Sequence, residues 1–168
     1  MSGAAMAASS VAGKTFDLTG KFGGSVSAAC KIGGSRSQKV AAKKSLTAQI
    51  TFNEDGTFTW SNDTLGIGVA DGTWTQKGSK LDLDFDDPAA FSFIWMYGAS
   101  LTTSIPGGSA TGSPTKYAFG GTINGKGTSL SVVESGGFKI DASAAMGGGS
   151  NACKYKYSVN RKYKGNSQ

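Results

Sequence analysis

The sequence predicts an all-β domain, an antiparallel up-and-down β-barrel of about eight to ten strands. Glycine is abundant, with 26 residues against 3 prolines, and many segments end in Gly pairs or Asn/Asp-Gly, as tight turns require. Apolar side chains fall on alternate positions in segment after segment, the period-two signature of a strand with one dry face. No segment reads as a βαβ unit. Short sequential connections favour a meander, and a long meander escapes its exposed edges by closing on itself.

The first strand is "TFDLTGKFGGSVSAACKI". Phe16, Leu18, Phe22, Val26, Ala28, Cys30 and Ile32 take the even positions, and Lys21, Ser25 and Ser27 the odd ones. Gly20 and Gly24 sit where a strongly curved strand needs them. "GGSRSQKVAAKK" breaks the alternation and reads as a basic loop with a helical turn around Gln38–Lys44. "LTAQITFNEDGTFTW" is the clearest hairpin: Leu46, Ala48, Ile50 and Phe52 lead into a turn at Asn53–Gly56, and Phe58 and Trp60 return on the same side. "IGVADGTWTQ" and "KLDLDFDD" follow, joined at Lys77-Gly78, with Leu81, Leu83 and Phe85 alternating with Asp82, Asp84 and Asp86.

"DPAAFSFIWMYGASL" carries two signals. Asp87-Pro88 suits a helix start, whereas the alternation of Phe91, Phe93, Trp95 and Tyr97 suits a strand, the reading preferred for residues 88–101. "SIPGGSATGSPT" reads as flexible. "KYAFGGTIN", "GTSLSVVE" and "GFKIDASAAM" read as three strands, separated by turns at Asn124-Gly125-Lys126 and Ser135-Gly136. A Gly-rich loop at Gly147–Ser150 precedes the last strand. Residues 1–13, without a basic start or an apolar core, read as a disordered lead; 14–164 form one barrel domain, and 165–168 a tail.

The last strand, "CKYKYSVNRKYK", interleaves bases and aromatics. Lys154, Lys156, Asn160, Lys162 and Lys164 share one face, and Cys153, Tyr155, Tyr157, Val159, Arg161 and Tyr163 share the other. A nucleic-acid groove needs aromatics and cations to reach one ligand together, and the pleat separates them. Tyrosines inward and lysines in water is therefore the expectation, with no nucleic-acid partner. Cys30 ends the first strand on its apolar face, and Cys153 starts the last on its own. In a closed barrel with an even strand count those ends are antiparallel neighbours, within disulfide reach; the alternative is two buried free thiols. A disulfide implies an oxidising compartment, secreted or periplasmic.

The chain has no histidine, which removes Ser-His and Cys-His catalysis and His-ligated metal sites. No catalytic residue, cofactor or metal is expected, and no pairing of Asp71, Glu134 and Asp141 can be read from sequence. The net charge of +6 permits attraction to anions and equally serves solubility. No apolar run approaches the length of a membrane helix. Asp82, Asp84 and Asp86 lie along a straight strand, which splays carboxylates rather than wrapping them round a cation; they read as a solvated face. "NDT" at Asn62 fits a glycosylation acceptor in a eukaryotic secretory setting.

"FNEDGTFTW" followed by "GTWTQKGSKLDLDF" resembles the strand-turn grammar of bacterial lipocalin-like (calycin) barrels over residues 46–86, and Gly72-Thr73-Trp74 matches the lipocalin G-x-W triplet. In lipocalins that triplet lies on the first strand; here it lies in mid-chain. The resemblance implies a barrel that carries an apolar ligand and identifies no binding residue. The presumptive inner face combines aromatics with small groups (Gly20, Gly24, Ala28, Ala48, Gly121, Ala142, Ala144), which either leave room for a ligand or let the walls collapse together. The expected function is extracytoplasmic binding of a small apolar or amphipathic molecule. Candidate wall residues are Trp60, Trp74, Phe91, Phe93, Trp95, Tyr97, Phe119, Tyr155 and Tyr157, with Arg161 to meet an acidic head group. The alternative is a packed barrel that binds an acidic partner or polysaccharide through its basic exterior.

Overall fold

The computed structural model describes residues 9–41, 45–64, 68–87, 108–146 and 149–168. These residues form nine antiparallel strands: β1 (Thr15–Cys30), β2 (Gly34–Ala41), β3 (Leu46–Phe52), β4 (Thr57–Ser61), β5 (Ala70–Lys77), β6 (Lys80–Phe85), β7 (Gly108–Ile123), β8 (Ser129–Met146) and β9 (Gly149–Ser167). No helix occurs among the described residues. The sheet runs β2-β1-β3-β4-β5-β6-β7-β8-β9, and β9 returns to pair with β1. All of these strands but β2 thus form a closed eight-stranded barrel.

β1 is shared between two structures. One edge pairs with β9 from Phe16↔Ser167 to Cys30↔Cys153. The other edge pairs with β3 over Thr15–Gly20 and then with β2 over Gly23–Cys30. Above the barrel, therefore, the long strands continue as an open five-stranded extension ordered β2-β1-β9-β8-β7.

Turn chemistry sets the hairpins as expected. Gly56 (φ 87°) and Gly78 (φ 62°) occupy the left-handed region that only glycine enters without strain. In the first turn, Asp55 accepts hydrogen bonds from the Thr57 hydroxyl and backbone N–H, which hold its carboxyl below the usual carboxylate range. Gly20 serves a close approach instead: a Cβ there would lie 2.6 Å from the Tyr163 ring and 2.4 Å from the Lys162 carbonyl oxygen.

The inward positions fill the barrel. Phe16, Phe52, Phe58 and Trp60 are fully buried, each worth roughly 2–3 kcal/mol of transfer free energy. Phe85 stacks on Phe119 at 4.8 Å, and Phe58 and Trp60 meet both rings edge-on. Leu81, Leu83 and Phe85 point in while Asp82, Asp84 and Asp86 are exposed. A smaller cluster of Phe138, Ile140 and Ala142, with Tyr155 and Tyr157 packed on it, continues the inner face into the extension.

Several expectations need correction. The segment read as a loop with a helical turn is strand β2 up to Ala41, and residues 42–44 lie outside the described residues. Gly108–Thr115, read as flexible, is the first half of β7. Ser135-Gly136 is no turn: β8 passes straight through it, paired with β7 on one edge and β9 on the other. The last strand starts at Gly149, inside the expected Gly-rich loop, and Ile32 lies in the turn after β1, 59% exposed. The expected lead is anchored at its inner end, where fully buried Val11 donates its N–H to Gln76. The expected tail is ladder: Ser167 pairs with Phe16. The region 88–101 lies outside the described residues.

Cys30 and Cys153 form a disulfide between directly opposed residues of β1 and β9, at the extension end of their ladder. With a sequence separation of 123, the bond removes about 4–5 kcal/mol of unfolded-chain entropy in the loop-closure model. Reduction is expected to lower the melting temperature by on the order of 10 °C while leaving the far-ultraviolet β signature intact below the transition. Thermal unfolding with and without reductant checks this; an unchanged melting temperature contradicts it.

Candidate functional site

Of the side chains predicted to line a ligand cavity, those among the described residues lie in three separate places. Trp60 is fully buried in the packed barrel, edge-on to Tyr163 at 5.3 Å, and Phe119 is buried beside it. Trp74 is half-buried at the far end, edge-on to Phe52, with its indole N–H donating to the Asn53 carbonyl. Tyr155 and Tyr157 are half-buried in the extension, their rings stacked at 6.3 Å. Phe91, Phe93, Trp95 and Tyr97 lie outside the described residues. Clefts of about 400, 410 and 500 Å³ open on the outer surface: two flank β6, and the third lies at the foot of β9.

Arg161 is the polar centre of the lumen. The β8–β9 register sets Glu134 directly opposite it, and the Arg161 Nε donates to Glu134 Oε2. Asp63 comes from the connection after β4, where Asn62 takes a left-handed turn (φ 53°) and Thr64 is tied to Thr47 by backbone and hydroxyl hydrogen bonds. Its Oδ2 accepts from Arg161 Nη1 at 2.5 Å and from the Trp60 indole N–H at 2.8 Å. The guanidinium also lies over the Trp60 ring at 5.2 Å and the Tyr163 ring at 5.6 Å. Burial works against its charge, but Glu134, Tyr163 and Asp63 outweigh burial and raise its pKa above the ordinary arginine value. Inside the fold this arginine therefore already serves two carboxylates.

Glu134, Asp63 and Tyr163 were absent from the predicted site. Parity held the clue for Glu134, which shares the inward face with Val132, Phe138 and Ile140. Asp63 lies in a connection, where parity says nothing.

The outer face is a different environment. Lys21 on β1, Lys39 on β2, Lys116 on β7, Lys139 on β8, and Lys154, Lys156, Lys162 and Lys164 on β9 are all exposed. Register places them on one continuous face, with Lys139 directly opposite Lys156 and Lys21 directly opposite Lys162. The acids that β2, β1, β9, β8 and β7 place on this face among the described residues are Asp141, opposite Lys154, and Asp17 at the foot, where Gln168 and then Gln49 donate to its carboxylate and lower its pKa; Asp82 and Asp84 lie one strand beyond, on β6. None of the eight lysines forms an ion pair among the described residues, where the ion pairs are those of Arg161. No group of metal-ligating side chains occurs among those residues either.

Two outcomes follow from the lumen. Arg161→Met leaves two buried carboxylates without their cation, so it is expected to cost about 3–5 kcal/mol in denaturant unfolding, and adding Glu134→Gln and Asp63→Asn is expected to recover much of that loss. Burial, only partly offset by Arg161, pushes the Tyr163 phenol from 10.0 up to about 12. The raised value means that the folded state holds this proton more tightly. Its stabilisation is thus complete below pH 10.0 and lost as pH rises from there through about 12. Unfolding followed against pH should show that alkaline limb, and Tyr163→Phe should remove its contribution.

No family model and no curated protein matches this chain. Among solved structures, it is similar to a multidomain protein including DUF1735 from Bacteroides ovatus, at 13% identity and a TM-score of 0.28. The match covers 88% of this chain and 49% of that one, so this chain spans about half the length of the structure it matches. At that score the likeness carries no argument about function.

Proposed function

We propose that this chain is a non-catalytic, extracytoplasmic binding module: a packed barrel serves as scaffold, and its basic outer face engages an acidic partner. The observation that carries this reading is the lysine face. Like charges directly opposite on neighbouring strands cost stability, and across β1, β9 and β8 this face holds two such pairs, Lys139↔Lys156 and Lys21↔Lys162. An anionic ligand laid across them converts that repulsion into attraction. The disulfide fits an oxidising compartment and supports a secreted or periplasmic setting.

Carriage of a small apolar molecule is the second reading. It is favoured by the half-buried Tyr155 and Tyr157, which extend the inner face beyond the filled lumen over Phe138 and Ile140. Such a ligand sits on the extension rather than among Trp60, Phe119 and Arg161.

Salt separates the two. Affinity for dextran sulfate is expected to fall more than about tenfold between roughly 0.05 and 0.2 M salt, whereas a neutral apolar probe followed by intrinsic fluorescence responds little. Absence of dextran sulfate binding at low salt rules out the first reading.

A further inference from the structure

We infer that the basic face is a two-subsite track for a linear acidic polysaccharide, and that tight binding requires a chain long enough to occupy both subsites. This rests on the reading of the face given above. It follows from how the lysines are distributed, which the strand register fixes.

Lys139, Lys154 and Lys156 form one triad, on β8 and β9 in the extension. Lys21, Lys162 and Lys164 form the other, on β1 and β9 over the closed barrel. Between them the three central strands present only small or uncharged groups: Gly23 and Ser25 on β1, Ser158 and Asn160 on β9, and Ser135 and Gly137 on β8. From Lys156 to Lys162 is six residues, so at the rise of a strand the triads stand roughly 20 Å apart along β9. The gap is flanked but not crowded. Lys39 stands at the level of Ser158 two strands to one side, and Lys116 at the same level two strands to the other. The result is a low floor with cations at both ends and along both margins, which suits an extended chain lying parallel to β9.

The chemistry of the face narrows the ligand. All eight cations are lysines; of the two arginines, Arg161 is in the lumen and Arg36 is aligned with Ala28 on the opposite side of the sheet. Lysine acts as a point charge without the fork that reads a single phosphate or carboxylate bidentately, so the face suits charges repeated along a polymer. No aromatic side chain lies on this face of β1, β8 or β9, which leaves no platform for stacking bases. On the described parts of β1, β8 and β9 its one bulky apolar side chain is Val133, 39% exposed opposite Lys162, too little to enter a bilayer as an interfacial surface does. Carboxylated or sulfated sugars need neither.

Two tethered subsites give a length threshold rather than a smooth rise in affinity, because the second contact becomes intramolecular once the ligand spans the gap. The test is calorimetric titration at low salt with size-fractionated oligogalacturonates shorter and longer than the roughly 20 Å set by the strand rise. Short fragments are expected to bind weakly, two per chain. Fragments that span the gap should bind one per chain and at least about tenfold more tightly. Lys139→Gln with Lys156→Gln, or Lys21→Gln with Lys162→Gln, should each abolish the step and leave one short fragment bound. These exposed changes relieve like-charge repulsion, so an unchanged or raised melting temperature should accompany them. A smooth rise in affinity with length, or loss of all binding from either pair, overturns the two-subsite track while leaving the basic-face reading intact. Equal or tighter binding to phosphatidylglycerol vesicles at the same salt overturns the polysaccharide assignment. If neither oligogalacturonates nor dextran sulfate binds at all, the proposed function itself falls.

Discussion

The ladder between the first and last strands is the constraint on which the rest of the molecule depends. From Phe16↔Ser167 to Cys30↔Cys153 it runs without a register shift. Because strand side chains alternate, a slip of one residue would send Tyr163 and Arg161 into water and Lys162 and Lys164 into the lumen. One ladder therefore closes the barrel, fills its interior and builds the basic face at once. It also sets the height of the extension, since β1 and β9 stay paired above the end of β3, where β1 takes β2 as its other partner.

Arg161 helps make that register unique. A buried ion cluster is weak evidence for stability, because desolvation offsets much of the attraction. It strongly penalises the wrong alignment, however: a shifted β9 would leave Glu134 and Asp63 buried without a cation. The cluster joins elements distant in sequence. Glu134 arrives from the neighbouring strand, whereas Asp63 reaches across the lumen from the connection after β4. Tyr163 and Trp60 complete the shell, and Gly20 leaves the space that the Tyr163 ring occupies.

How much of this was legible in the sequence follows from where side chains have a dry side. Parity placed Phe16, Leu18, Ile50, Phe58, Leu81, Leu83 and Tyr163 correctly, because each alternates between a packed lumen and water. It failed on β2, whose Gly34–Lys39 are exposed at the edge of an open sheet, so no alternation marks the strand. It failed at Ser135-Gly136, where the sequence offers turn chemistry but both neighbouring strands continue and hold β8 straight. The pairing of Arg161 with Glu134 and Asp63 was hidden for another reason: it depends on inter-strand register and on a connection, neither of which a single strand encodes. The basic face was half visible. The lysines of β9 stood out, but their opposition to Lys21 and Lys139 appears only when the strands are paired.

The two lysine triads sit on unequal foundations, and the disulfide lies beside the weaker one. Lys21, Lys162 and Lys164 ride on strands whose reverse side is packed by Leu18, Tyr163 and the ring cluster around Trp60. Lys139, Lys154 and Lys156 ride on the extension, where the reverse side holds the smaller cluster of Phe138, Ile140 and Ala142. Repulsion between Lys139 and Lys156 thus acts where there is less apolar burial to resist it. Cys153 immediately precedes Lys154, and its bond to Cys30 ties β9 to β1 at that end. A covalent tie holds the strand ends together whatever the surface charge. Closure by packing supports one triad and closure by a bond supports the other, which lets a single sheet face keep two cationic patches in fixed relation before any anion arrives.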